Sequence, residues 1–292
     1  MRETSELTRF SCRNLHPAIG AEVLGLDLSV PLAPEVVADL IALWEDRSVL
    51  VFRDQKLSPQ DQLRVTDYFG PPSQNEHKKD IGVDLPEQET PGIVLISNVQ
   101  VDGKPIGSIG DGELWFHSDN CYLPKSAKAS LLYAVEIPRA GGETRYASGY
   151  AAYQALSPET KAKLNGVMAD YVFDYKINTQ TRRFKPGPDA FHAVHPAVVL
   201  HPGTGRPALF VNRQTTERLI GMDPEESEAL LQELFDFQER PEFVYDHQWR
   251  PGDLAIWDNR SCLHARKDFD PGERRTMRRT TAGEQKLEPA LA

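Results

Sequence analysis

Two separated segments carry side chains of the types that hold a metal ion. In Trp115-Phe116-His117-Ser118-Asp119-Asn120 an imidazole and a carboxylate stand with one residue between them. Alternate residues of an extended chain point to the same face, so His117 and Asp119 can converge on one ion. An H-x-D pair alone is common, and a histidine paired with a neighbouring acid at a strand end is the competing reading. Far downstream, Trp257-Asp258-Asn259-Arg260-Ser261-Cys262-Leu263-His264 offers a third donor, His264. Two histidines and one carboxylate on one face of a metal are the arrangement of non-haem Fe(II) oxygenases. They leave coordination positions open, whereas a structural zinc site closes all four with protein ligands.

Behind His264 comes Arg274-Arg275-Thr276-Met277-Arg278-Arg279. If 274–281 is a strand, Arg275, Met277 and Arg279 share one face while Arg274 and Arg278 share the other. A guanidinium buried without a partner is costly, so Arg275 and Arg279 beside a metal site imply carboxylate, sulfonate or phosphate groups on the ligands. A solvated basic hairpin is the alternative. The whole chain carries 33 Lys+Arg against 43 Asp+Glu, a formal net charge of -10, and its field repels nucleic acid and anionic lipid alike. Yet 263–283 holds six basic and three acidic residues. The acidic total conceals a basic pocket suited to small anions.

Extended chain must flank these groups if they are to meet. Short apolar runs bounded by Pro, Gly or Asp read as strands at 48–52, 93–97, 129–135, 197–201, 208–212, 243–247, 253–257 and 274–281. Helical spacing appears at 33–44, more weakly at 58–69, and from the Asp223-Pro-Glu-Glu cap to about Gln238. The expected fold is mainly β with flanking helices, a sandwich or barrel core. At 292 residues and 40% hydrophobic composition, with no repeat and no low-complexity linker, the chain reads as a single domain spanning 1–292. Polar stretches at 71–92 and 176–191 lack either period and read as mobile loops over the site. The turn at 107–112 has the wrong glycine order for a dinucleotide fingerprint. Cys12, Cys121 and Cys262 are an odd number without C-x-x-C spacing, which suggests free thiols in a reducing compartment. No segment reaches the roughly 18 uninterrupted apolar residues of a membrane span, and the N-terminus does not resemble a secretory signal. A cytoplasmic protein without nucleic-acid or membrane partners is expected, assembled as a homo-oligomer.

Taken together, H-x-D at His117 and Asp119, W-D-N-R-x-x-x-H ending at His264, and R-x-x-x-R at Arg275 and Arg279 resemble the Fe(II)/2-oxoglutarate dioxygenases of the taurine dioxygenase and aryloxyalkanoate dioxygenase (TauD/TfdA) family. The resemblance runs from Gly20-Ala-Glu-Val-Leu-Gly-Leu-Asp-Leu28 through Gly141-Gly-Glu-Thr144 and Leu209-Phe-Val-Asn212 to Thr281. It implies a double-stranded β-helix (jelly-roll) core. By the same resemblance His117, Asp119 and His264 bind Fe(II), Thr144 and Arg275 hold the distal carboxylate of 2-oxoglutarate, and O2 is the oxidant. Arg279 matches the arginine that grips the anionic group of the primary substrate. Its competing reading is a structural salt bridge.

The substrate end departs from the taurine enzymes. Tyr68-Phe-Gly70 is followed by Pro71-Pro-Ser-Gln-Asn-Glu-His77, in which His77 is only loosely in register with the family's taurine-gripping histidine. His77 and Asn120 are the weaker substrate-binding candidates, and taurine is a poor expectation. A small anionic molecule, hydroxylated or cleaved after hydroxylation with release of succinate and CO2, is the favoured substrate. A zinc hydrolase using the same three ligands, or a non-catalytic anion-binding β domain, are the alternatives.

Overall fold

The computed structural model describes residues 4–7, 9–73, 90–108, 110–174 and 190–291. His77 and most of the two expected loops lie outside the described residues. The described chain is mostly β with a few helices, as expected. An eight-stranded sheet runs in the order Thr4–Leu7, Phe10–Asn14, Ala21–Leu24, Val49–Phe52, Leu254–Asp258, Ser126–Glu136, Thr276–Gln285, Val94–Ser97. A four-stranded sheet runs Val244–His247, Thr144–Ser148, Cys262–Arg266, Leu114–His117. Neighbours within both are antiparallel except Ala21–Leu24 beside Val49–Phe52.

The apolar run Val49-Leu-Val-Phe52 is buried along its whole length because both faces of its strand are covered. Leu50 and Phe52 pack with Leu40, Trp44, Val65 and Phe69 from the helices Pro34–Arg47 and Pro59–Phe69. Val49 and Val51 face the other way, into a cluster with Tyr146 and Cys262 of the smaller sheet. The strand Leu254–Asp258 repeats the division: Leu254 and Ile256 meet the helices, while Ala255 and Trp257 meet the smaller sheet. This alternation brings Trp257, and Ser130 opposite it in the ladder, to the inner side. Trp44 is fully buried with its ring 5.1 Å from Phe69, and truncating such a residue costs about 3–5 kcal/mol.

Local chemistry sets the element ends. Ser58 and Asp61 form a reciprocal capping box at the start of Pro59–Phe69. Asp223 caps Pro224–Gln238 by accepting from Glu225 N and Glu226 N. The first helix runs on to Arg47, past the expected end at Trp44, and stops where Ser48 turns left-handed. The strand expected at 208–212 ends at Leu209, because Asn212 Oδ1 accepts from Thr215 N and Oγ1 and draws the chain into a turn. The strand expected at 274–281 instead spans Thr276–Gln285, with an irregularity in its pairing between Thr276 and Met277. Arg274 and Arg275 therefore precede the strand. No described helix is long and apolar enough to cross a membrane.

Candidate metal centre

His117 ends its strand and lies opposite His264 in the neighbouring one, so antiparallel pairing brings the two imidazoles to a centroid separation of 4.1 Å. Asp119, just past the strand end, places Oδ2 3.8 Å from His264 Nε2. Donor atoms of His117, Asp119 and His264 all lie within 4.8 Å of one another. The chemistry of this donor set fits a divalent metal. His117 Nδ1 is 2.8 Å from the Trp115 carbonyl, which can only accept, so Nδ1 carries the proton and Nε2 keeps its lone pair. Burial lowers the His117 pKa, and burial together with His117 pushes His264 down to about 3. Both rings are neutral near pH 7. Burial opposes ionisation of Asp119, yet Arg279 and the Ser130 hydroxyl help hold its carboxyl well below the usual range. All three groups are in the protonation state that a metal requires.

Asp119 is held on both oxygens. Ser130 Oγ donates to Oδ2 at 2.6 Å and Arg279 Nη1 donates to Oδ1 at 3.2 Å. Asn120 follows in a left-handed conformation, φ 58°, which asparagine tolerates better than most residues. Its Oδ1 accepts from Tyr122 OH at 3.4 Å.

One cavity beside the cluster is lined by His117, His264, Thr144, Arg266, Arg275 and Arg279, with Ile96, Leu132 and Trp257 among its apolar walls. The expected sharing of a face by Arg275 and Arg279 is present despite the pairing irregularity. Arg278 lies over Tyr133 on the opposite side, and Arg274 pairs with Glu136 at the surface. Arg275 is 2% exposed. Its Nη2 donates to the Gly142 carbonyl at 3.3 Å, and among the described residues no carboxylate pairs with it. Burial, with Arg266 nearby, lowers its pKa to about 9. The double glycine before Thr144 makes room for it: Gly142 has φ +70°, and a Cβ there would sit 3.1 Å from Arg275 Nε. Thr144 Oγ1 accepts from Trp249 Nε1 at 3.0 Å.

Four supporting side chains have no motif that singles them out in the sequence. Arg266, two positions beyond His264, donates to the carbonyls of Gly110, Asp111 and Gly112 and so ties the glycine-rich turn to the cavity wall. Trp249, Ser130 and Asn259 are the others. Asn259 was in view within W-D-N-R, but only as a neighbour of His264. Arg213 lies outside this cavity, bound to Glu239 and Asp236. Cys121 and Cys262 are buried, and burial pushes the Cys121 thiol up to about 11 and the Cys262 thiol well above its ordinary value, which disfavours thiolate ligands. His201 and His247 are fully buried against Asp258 and Asp253.

The family described as "Taurine catabolism dioxygenase TauD, TfdA family" matches residues 11–281. The chain is 33% identical to an (S)-phenoxypropionate/alpha-ketoglutarate-dioxygenase of Sphingobium herbicidovorans, over 97% of this chain and 98% of the relative. It is 34% identical to the alpha-ketoglutarate-dependent 2,4-dichlorophenoxyacetate dioxygenase of Cupriavidus pinatubonensis, over 91% and 95%. Among solved structures, AAD-2 in complex with Mn(II) and N-oxalylglycine superposes with a TM-score of 0.77 at 28% identity, covering 98% of this chain and 100% of that one. The zinc-hydrolase and non-catalytic readings gain no support from these relatives. Because the match encloses both ligand segments and both cavity arginines, the chain belongs to the TauD/TfdA family and is an Fe(II)- and 2-oxoglutarate-dependent dioxygenase that uses O2.

Proposed function

We propose that this dioxygenase hydroxylates a small organic anion, with His117, Asp119 and His264 holding the iron, Thr144 and Arg275 holding the distal carboxylate of 2-oxoglutarate, and Arg279 holding the anionic group of the primary substrate. Bound Fe(II) with 2-oxoglutarate and O2 supplies the oxidation, in which one oxygen atom enters a substrate C–H bond and the other leaves in succinate alongside CO2. Every other contribution comes from the chain. Two anions need two cations, and Arg275 and Arg279 line one cavity beside the neutral imidazoles. The observation that carries the reading is Arg275, buried with a carbonyl and no carboxylate to pair with it among the described residues. Such a group awaits an anion.

Apolar walls at Ile96, Leu132 and Trp257 line the same cavity, and a charged handle fixed by Arg279 would hold a substrate carbon in one orientation, worth several kcal/mol of barrier. Phenoxypropionate and 2,4-dichlorophenoxyacetate, named for two relatives, make aryloxy carboxylates the first substrates to try. Hydroxylation next to an ether oxygen would give a hemiacetal that cleaves. Asn120 adjoins the metal cluster and His77 is the remaining substrate-binding candidate. The two sheets are read as a double-stranded β-helix within one dioxygenase domain spanning 1–292, supported by inward-facing residues from both sheets meeting in one cluster.

Anaerobic protein given Fe(II) and 2-oxoglutarate should develop a visible metal-to-ligand band, and admitting O2 with aryloxy carboxylates, sulfonates, sulfate esters or amino acids should release succinate in step with product. Absence of both band and succinate would sink the reading. Succinate release stimulated equally by neutral analogues would sink the role given to Arg279.

A further inference from the structure

Trp257, Asn259 and Ser130 form a buried chain of hydrogen bonds whose direction can be read without seeing any hydrogen. Trp257 Nε1 and the Asp119 backbone N–H can only donate, and both meet Asn259 Oδ1, at 3.0 Å and 3.2 Å. That fixes the orientation of the amide, which is otherwise ambiguous. Asn259 Nδ2 therefore faces Ser130 Oγ at 2.9 Å and donates to it. With its acceptor side engaged by the amide, the Ser130 hydroxyl turns its own proton to Asp119 Oδ2 at 2.6 Å. Ser118 Oγ, donating to the Asn259 carbonyl at 2.8 Å, fastens the same turn from the other side. Ser130 and Asn259 are fully buried and Trp257 is 1% exposed, so water does not compete and a misdirected group would lose its bond outright.

We propose that Trp257, Asn259 and Ser130 are positioning residues for the metal: the indole N–H sets the amide, the amide sets the hydroxyl, and the hydroxyl holds the Asp119 carboxylate towards the two histidines. The inference rests on the reading of Asp119 as a metal ligand. It gives the W-D-N-R segment a task beyond leading into His264, since Trp257 also packs its ring 4.7 Å from that of His264. A single tryptophan thus supports two of the three ligands, one by contact and one through the relay. Groups that orient metal ligands in this way are worth about 10–100-fold in metal affinity.

The test is Mn(II) binding to chelator-stripped protein, followed by calorimetry without 2-oxoglutarate, so the readout does not depend on turnover. Ser130→Ala should bind Mn(II) about 10–100-fold more weakly than the wild type. Asn259→Asp keeps size and shape but presents only acceptors, so Ser130 donates to residue 259 and releases Asp119. It should show a similar loss, a result that packing alone does not predict. Ser130→Cys, which keeps a weak donor, should fall between Ser130→Ala and the wild type, and it carries the test if either other variant does not fold. Folded Ser130 variants that bind Mn(II) as the wild type does, beside an Asp119→Ala control that does not, overturn the relay and leave the ligand set standing. An Asp119→Ala protein that still binds Mn(II) normally overturns the ligand reading instead.

Discussion

Arg279 Nη1 stands 3.2 Å from Asp119 Oδ1, so the arginine assigned to the substrate already touches a carboxylate of the metal cluster. Its Nε is buried and has no hydrogen-bond partner among the described residues. One edge of the guanidinium therefore serves Asp119 while another is open to a second anion. The salt bridge to Asp119 thus leaves room for the substrate grip proposed for the same side chain.

Arg279→Ala should consequently do two things. Loss of a charge-assisted hydrogen bond of about 1.5–3 kcal/mol predicts a roughly 10- to 100-fold fall in kcat/KM for the primary substrate. Affinity for 2-oxoglutarate, followed by the anaerobic visible band, should change little. Equal weakening of 2-oxoglutarate and substrate would refute the division of labour between Arg279 and Arg275.

For 2-oxoglutarate the proposed pair is Arg275 and Thr144, which line the same cavity. Arg275→Ala should weaken it by at least 30-fold, the low end of the 2–5 kcal/mol attached to a buried charge pair. Trp249 fills an acceptor position on Thr144 Oγ1, leaving that hydroxyl's proton for the ligand carboxylate. Trp249→Phe should raise the 2-oxoglutarate Kd about 2- to 10-fold, from about 0.5–1.5 kcal/mol for a neutral hydrogen bond, and should do nothing further in a Thr144→Val background. An undiminished effect there would show that the indole acts by another route.

Gly142 offers a backbone test of the same pocket. At φ +70° with its missing Cβ 3.1 Å from Arg275 Nε, alanine would add both left-handed strain of about 1–2 kcal/mol and a push on the guanidinium. Gly142→Ala should weaken 2-oxoglutarate binding several-fold while Mn(II) binding stays at the wild-type level. Loss of Mn(II) affinity in a folded variant would mean that the strain spreads to the histidines.

The clustering of His117, Asp119 and His264 was legible because two of them lie at alternate positions of a short segment and the third ends a recognisable string. The arginine pair was legible from alternation alone: Arg275 precedes its strand and the pairing is irregular between Thr276 and Met277, yet Arg275 and Arg279 line one cavity. Supporting residues leave no such trace. Ser130 is 11 positions from Asp119 and Trp249 is 105 positions from Thr144, and each pair meets only through sheet pairing and layering. Strand ends differ from the expected ones where a side chain competes with the ladder, as Asn212 does after Leu209. Length and apolar content carry no record of that competition.

Asp258 tests how much the W-D-N-R turn depends on charge. It is fully buried, accepting from Arg260 at 2.6 Å and facing His201 at 2.9 Å. Burial alone would raise its pKa, but Arg260 and the bond to His201 bring it down to about 2, against 3.8 for the ordinary carboxyl. Since the folded value is the depressed one, the ionised carboxylate contributes stability that is present above about pH 4 and lost as pH falls towards 2. A shift of this size corresponds to roughly 2 kcal/mol. Asp258→Asn removes the charge and leaves buried Arg260 with Glu45, at 3.4 Å, as its remaining carboxylate partner, at a cost below the roughly 3–5 kcal/mol of a fully unpaired buried charge. Urea unfolding of both proteins should give a stability gap that is constant from pH 7 to 5 and narrows by roughly 2 kcal/mol as acid protonates the wild-type carboxylate. A gap that stays level down to pH 2 would mean that the carboxylate is not what stabilises the turn.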